Sequence, residues 1–307
     1  MTLWTYDQFV THEFQRPSYI IDPVFPHKGV LCIHGQQTSG KSQLALGMLV
    51  NLVRGEMFLK QYRTTQGSVA YVQYDLPEKL WQDRLGMLKP ILSGMPFYNV
   101  VDFGYHNMAE WKKGGKWFLP SDVAQLREIQ PETIVVDSVA RCHQMDENDS
   151  RATRLVYGYW QELFPDSSLA FIHHNNKDKV GPFRQNEASR PRGSTAWLDN
   201  ANGGMGIRRL GRGKGGKHRA QIVFTKVTAG EEPSPCEIEI STETLLLTPT
   251  HLTARELAEL FIRDNPRATK KQLVDWLTTP QENGDKRSEA ACGPSRAYQI
   301  ATEMAIT

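Results

Sequence analysis

Residues 29–46, GVLCIHGQQTSGKSQLAL, pass from a short apolar run through a glycine and four small or polar residues into Gly-Lys-Ser and the start of an amphipathic pattern. The spacing is G-x-x-x-x-G-K-[ST], carried by Gly35, Gly40, Lys41 and Ser42, with a strand expected before it and a helix from Lys41 to about Arg54 after it. A strand that turns through glycines straight into a helix is the first half of a βαβ unit, so this stretch points to a parallel sheet with helices on its faces. It also points to an anion. Backbone N–H groups of such a turn converge with the positive end of the helix dipole. The nine residues Gly35, Gln36, Gln37, Thr38, Ser39, Gly40, Lys41, Ser42 and Gln43 are therefore read as a nucleotide cradle. In it Lys41 reaches the β- and γ-phosphates and Ser42 binds Mg²⁺. The plainer reading, a glycine-rich turn capped by Ser39 or Ser42, is weighed down by the fitting strand and helix on either side.

The rest of the chain repeats the alternation. SVAYVQ (68–73), a helix from about Glu78, TIVVD (133–137), a helix through RLVYGYWQELF (154–164) and SLAFIHH (168–174) read as a doubly wound, mostly parallel α/β sheet. GMGIRRL, AQIVFTKV, CEIEI and TLLLT follow between Gly- and Pro-rich turns, and are expected to extend that sheet as antiparallel strands. Near residues 248–250 the strands stop. ARELAELFIRDN, TKKQLVDWLTT and SRAYQIATEMA then predict three short helices, a small helical or winged-helix domain. The expected division is thus a core with an N-terminal arm over 1–248 and a small domain over 250–307.

Composition excludes more than it identifies. With 39% hydrophobic and 23% charged residues and a net charge of +2, the 307-residue chain is neither disordered nor fibrous in character. Its average charge names no partner. Cys32, Cys142, Cys236 and Cys292 stand far apart without C-x-x-C spacing, which argues against a zinc site or disulfide framework and for plain thiols in a reducing cytosol. No apolar run approaches the ~18–20 residues that span a bilayer, and the N-terminus lacks a basic, then apolar, leader, so no membrane role and a cytoplasmic location are expected. The aromatics Trp4, Tyr6, Phe9 and Phe14 are costly to leave in water and are expected to pack, on their own domain or on a neighbouring subunit.

A magnesium carboxylate belongs at the end of an apolar strand, and Ile134-Val135-Val136-Asp137-Ser138 supplies Asp137 as the second metal residue beside Ser42. Residues 177–219 hold eleven Lys/Arg against Asp178, Glu187 and Asp199, a concentration of positive charge that suits a nucleic-acid backbone. It falls in two stretches, 175–193 and RRLGRGKGGKHR at 208–219. The latter reads as a hairpin tip bearing Arg212, Lys214, Lys217 and Arg219.

Four stretches together, GQQTSGKSQLAL, VAYVQYDLPEKLWQDRL, IVVDS, and FIHHNNK followed by SRPRGSTAWLDNANG, resemble the RecA/DnaB-like ATPases and, within them, plasmid RepA-type replicative helicases and related phage ATPases. The likeness spans roughly residues 18–230. It implies a RecA-like fold, MgATP hydrolysis, a hexameric ring or filament, and single-stranded DNA as partner. By the same resemblance Asp75 polarises the attacking water, in a place where the family usually has glutamate; a helix N-cap at Asp75-Leu76-Pro77-Glu78 is the competing account. His174 occupies the place of a γ-phosphate sensor, Ser194 is a weaker candidate of that kind, and His173 is expected to pack or to bond to backbone. The loop after that strand faces DNA through Lys177, Lys179, Arg184, Arg190 and Arg192, with Phe183 for base stacking. Lys226 resembles a transition-state lysine acting across a subunit interface, whereas Thr228 stands where arginine is common, leaving Arg208, Arg209 or Arg219 to serve.

The expected function is an ATP-dependent DNA helicase or translocase of the replicative type. Two alternatives stay open: a recombination or helicase-loading ATPase that uses ATP as an assembly switch, and a nucleotide-gated interaction module that binds no DNA. Lys270, Lys271, Arg287 and Arg296 would suit DNA contact or docking of a replication or recombination partner.

Overall fold

The computed structural model describes residues 3–14, 17–101, 112–113, 116–143, 145–146, 149–174, 196–212, 217–228, 233–241, 243–250, 258, 261–262, 265, 268–278 and 294–304. In chain order they form α1 (Tyr6–Thr11), a small hairpin of β1 (Tyr19–Ile21) and β2 (Phe25–Pro26), β3 (Val30–Gly35), α2 (Lys41–Arg54), β4 (Val69–Gln73), α3 (Glu78–Gly86), α4 (Lys89–Leu92) and β5 (Phe97–Val101). A two-strand ribbon, β6 (Lys112–Lys113) and β7 (Lys116–Trp117), leads to α5 (Ser121–Ile129), β8 (Thr133–Asp137), a 3₁₀ turn (Val139–Arg141), α6 (Ser150–Leu163) and β9 (Ser168–His174). Then come α7 (Ala196–Asp199), β10 (Gly203–Arg212), β11 (His218–Val227), β12 (Cys236–Ile240), β13 (Leu247–Pro249), α8 (Lys270–Thr278) and α9 (Pro294–Glu303).

Nine strands make one sheet in the order β13-β12-β11-β10-β3-β9-β8-β4-β5. From β10 to β5 every described pairing is parallel, and β11, β12 and β13 follow antiparallel. The uninterrupted apolar runs are explained by this arrangement: β3, β4 and β8 are buried along their whole length, as strands covered by helices on both faces must be. One point corrects the expectation from sequence. GMGIRRL lies in β10, which runs parallel to β3, because the chain leaves β9, crosses over through α7 and returns in the same direction on the other side of β3. The antiparallel extension starts one strand later. TLLLT is likewise half turn, with Leu245 at φ 55 and its N–H on Ser241 O, so the strand begins only at Leu247.

Each face has its own core. One gathers α2 (Leu44, Met48, Leu49, Leu52), Tyr71 and Trp81 with the β1–β2 hairpin and the antiparallel strands; the other gathers α5 and α6 around Trp160, Phe164, Phe171 and Trp197. Helix α6, expected through 154–164, starts upstream at Ser150, where the Asp149 side chain accepts from the Arg151 N–H and caps it. Helix α5 and the edge strand β5 were not expected; both are short and half-exposed, so neither carries a long apolar period. Helices α8 and α9 pack around a separate small cluster of Ala258, Leu273, Leu277, Ala297, Ile300 and Ala301. Most of the expected helix over 254–265 lies outside the described residues.

The aromatic arm is not packed on the core of its own domain. None of the described residues 3–14 is buried; Trp4, Phe9, His12 and Phe14 stack on one another at ring separations of 4.5–5.9 Å instead of on the core. Cys32, Cys142 and Cys236 are buried and in no disulfide among the described residues, and burial pushes the first two thiols up to about 12; Cys292 lies outside the described residues. No helix among the described residues is long and apolar enough to cross a membrane.

Trp160 is fully buried between β9 and the loop after β8. Trp160→Ala should therefore cost about 3–5 kcal/mol of stability, read as a lower denaturant midpoint. A loss below about 1 kcal/mol would contradict its place in the core.

Candidate functional site

Lys41, Ser42, Asp75, Asp137 and His174 gather at the C-terminal ends of β3, β4, β8 and β9, where open parallel sheets form their crevice. The loop from Gly35 to Gly40 leads into α2, whose N-cap is Gly40 at φ +103, a backbone region that L side chains rarely adopt. No side chain caps that helix, so neither Ser39 nor Ser42 plays the capping part weighed from sequence. Gly35 is glycine for a different reason. A Cβ there would run into the Ile207 carbonyl of β10 and into Ser39 Oγ. Inside the loop the Ser39 hydroxyl is buried without a hydrogen-bond partner, and the Lys41 ammonium turns back to donate to Gly35 O (3.1 Å) and Gln36 O (2.7 Å). Burial lowers Lys41 to about 8, against the pull of the Asp137 and Asp75 charges that favour its protonated form.

Asp137 ends β8 with 2% of its surface exposed. Tyr71 Oη, from the middle of β4, donates to its Oδ2 at 2.6 Å, and the Ser42 hydroxyl bonds into the same pair. Burial raises the Asp137 carboxyl above its ordinary value, while these two hydrogen bonds and the Lys41 charge oppose that rise. Tyr71 in turn stacks on Trp81 of α3 with ring centroids 4.6 Å apart. Ser42 and Asp137, paired in the sequence reading, lie side by side here, and Tyr71 beside them was not singled out from sequence. Nothing local marks it, since its partner is fixed by the pairing of β4 with β8, in which Gln73 stands opposite Asp137.

Asp75 lies just past β4. Its backbone N–H and that of Leu76 both donate to the buried Gln73 Oε1, at 2.5 and 3.2 Å. Its carboxylate does not cap α3; the N-cap there is Pro77, with no side-chain bond, so the capping account is overturned. Asp75 Oδ1 instead takes the Arg141 Nε at 2.8 Å and the Ser138 hydroxyl at 3.4 Å. Arg141 was not among the residues singled out from sequence.

His174 closes β9 directly opposite Gly35, the first residue of the cradle. His173, one residue back, is buried, and its Nδ1–H donates to His174 O at 2.8 Å. A carbonyl only accepts, so neutral His173 presents a bare Nε2, which has no partner. His143 is the mirror case: its Nδ1 accepts from the Met145 N–H, leaving an Nε2–H buried without a partner. Both rings flank Trp197 of α7, at 4.9 and 5.8 Å between centroids.

Lys226 sits on β11 and donates to Leu198 O (3.2 Å) and Asp199 O (2.6 Å) at the end of α7, while Thr228 Oγ1 bonds to Asn202 O. The basic hairpin is less charged than its local sequence implies. The β11–β12 pairing brings Glu237 and Glu239 alongside, and they take Arg219 at 2.7 Å and Lys217 at 3.1 Å. Arg208 bonds to Gln221 and Arg209 to His218. Lys177, Lys179, Phe183, Arg184, Arg190, Arg192 and Ser194 lie outside the described residues, as do Lys214 and Arg287.

A family model for an AAA domain matches residues 1–180. The chain belongs to the AAA domain family. Among solved structures it is similar to the ATPase domain of G40P, at 12% identity and a TM-score of 0.53, covering 73% of this chain and 85% of that one. It is also similar to the flagellar accessory protein FlaH from Methanocaldococcus jannaschii, at 14% identity and a TM-score of 0.46, covering 74% and 92%. No functionally curated protein matches the chain. The fold is that of a RecA-like P-loop ATPase.

Burial lowers His173 from 6.5 to about 4, with the neighbouring His174, His34 and His143 acting in the same direction and the bond to His174 O against it. A group depressed in the folded state takes up its proton first in the unfolded chain, so this imidazole leaves stability intact above about pH 6.5 and removes it as pH falls toward 4. The loss amounts to roughly 3 kcal/mol. Denaturant midpoints followed from pH 7 to 4 should fall more steeply for the wild type than for His173→Asn, which can still donate to His174 O; parallel curves would contradict this.

Proposed function

We propose that the chain is an ATP-driven motor on single-stranded DNA, a helicase or translocase of the RepA-like replicative kind that works as a hexameric ring or filament. The observation that carries the reading is the convergence of Lys41, Ser42, Asp137 and Asp75 at one end of the parallel sheet, close enough for both carboxylates to act on the Lys41 charge. The residues fit MgATP. A left-handed glycine, Gly40, turns the cradle into α2, a buried hydroxyl at Ser39 lacks a partner, α2 has no side-chain cap, and a buried carboxylate is hydrogen-bonded to Ser42. Ser42 and Asp137 would hold the metal, which when bound offsets charge on the β- and γ-phosphates.

In this reading Lys41 leaves the carbonyls of Gly35 and Gln36 for the phosphates, whose negative charge favours its protonated form. Asp75 orients the attacking water, and His174, facing Gly35 across β3 and β9, responds to the γ-phosphate. Lys226 acts on a neighbouring subunit's nucleotide after releasing Leu198 O and Asp199 O. The DNA contacts fall to Lys177, Lys179, Phe183, Arg184, Arg190 and Arg192 rather than to the hairpin, where Lys217 and Arg219 are already paired with glutamates. The separate cluster of α8 and α9 supports reading residues 250–307 as an appended unit for a replication or recombination partner.

A second reading, ATP as an assembly switch without unwinding, is favoured by the ion pair that already engages Asp75. Strand displacement separates the two. The motor reading expects single-stranded DNA to stimulate ATP hydrolysis and a forked duplex to be unwound. Lys41→Ala should weaken triphosphate binding about tenfold to a hundredfold and abolish both activities. Stimulated hydrolysis without unwinding would leave the switch, and hydrolysis indifferent to DNA would leave an interaction module.

A further inference from the structure

We infer that Arg141 is a positioning residue for hydrolysis, fixing the Asp75 carboxylate so that one oxygen is held by the protein and the other is presented to the phosphate cradle. This rests on the reading of Asp75 given above. The geometry comes from neighbouring strand ends. β4 and β8 leave the sheet side by side, with Gln73 opposite Asp137 and the Tyr74 N–H on Asp137 O (2.7 Å). The chain after Asp137 then turns through Val139–Arg141, which returns the guanidinium to the Asp75 side chain.

Asp75 is consequently held at both levels. Its backbone hangs from the buried Gln73 carboxamide, and Arg141 and Ser138 meet on the same oxygen, Oδ1. Fixing Oδ1 sets the direction of Oδ2. The carboxylate lies near the cradle, close enough for its charge to act on both Lys41 and Asp137.

An ion pair whose side chains are 44% and 29% exposed does little for folding, so stability does not account for it. Position does. An aspartate is one methylene shorter than a glutamate and reaches less far toward a water at the γ-phosphate. A planar guanidinium, with its donors in a rigid fork, is suited to holding a short carboxylate in one orientation. A misplacement near 1 Å costs on the order of a hundredfold in rate.

The test is a double-mutant cycle on steady-state ATP hydrolysis by the full chain with Arg141→Ala, Arg141→Lys, Asp75→Asn and Arg141→Ala/Asp75→Asn, together with equilibrium binding of a non-hydrolysable ATP analogue and thermal unfolding. Arg141→Ala should lower kcat about tenfold to a hundredfold, with analogue affinity and melting temperature near wild type. Arg141→Lys should recover part of that loss. In the Asp75→Asn background, removing Arg141 should change the residual rate by less than about twofold, since a residue acting through Asp75 has nothing left to position. A wild-type rate for Asp75→Asn would instead overturn the reading of Asp75 itself. If Asp75→Asn is inactive while Arg141→Ala is not, or if Arg141→Ala slows both backgrounds by the same factor, the positioning role is wrong and the reading of Asp75 survives.

Discussion

A carboxylate buried in the middle of a parallel sheet is the constraint around which this molecule is arranged. Left alone, Asp137 would cost several kcal/mol in lost hydration, so the fold has to satisfy it from outside its own strand. It does so from two directions, with the Tyr71 hydroxyl from β4 and the Ser42 hydroxyl from the first turn of α2, while the Lys41 charge lies close by. One side chain thereby ties the cradle helix to two strands that are not adjacent to β3. The same groups that stabilise the carboxylate keep it beside Ser42, the residue proposed to share a cation with it.

The strand order makes this possible. β9 and β8 lie between β3 and β4, so the cradle, the histidine at the end of β9, and the two acidic strand ends line up along one edge of the sheet. Each contributes from its C-terminal end, which only parallel strands allow. On the far side the sheet changes character. β10 still runs parallel, and its Ile207 carbonyl presses close enough to require glycine at position 35. Beyond it the antiparallel strands carry the glutamates that pair with Lys217 and Arg219 of the basic hairpin.

What could be read from the chain was what local chemistry determines. The cradle was legible because left-handed backbone and tight approach demand glycine at fixed spacing, and Asp137 because it ends a continuous apolar run. Helix α2 was located to the residue for the same reason. Partners set by register were hidden. Tyr71 meets Asp137 only through the β4–β8 pairing, and Arg141 meets Asp75 only because two strand ends emerge together. The partners of Lys217 and Arg219 were hidden in the same way, because Glu237 and Glu239 fall outside the basic stretch in sequence yet beside it in space. The N-terminal aromatics, costly to leave in water and expected on their own domain or on a neighbouring subunit, offset part of that cost by clustering among themselves.

The central claim is that Ser42 and Asp137 share a cation beneath a triphosphate held by the loop between β3 and α2. It is tested most directly by the affinity of the chain for a fluorescent non-hydrolysable ATP analogue, measured with Mg²⁺ and with chelator, in the wild type and in Asp137→Asn. Magnesium should tighten binding about tenfold or more in the wild type, the scale of one or two charge-assisted contacts, and should make little difference to the variant. Equal tightening in both proteins, or no binding of the analogue by the wild type, would contradict the account.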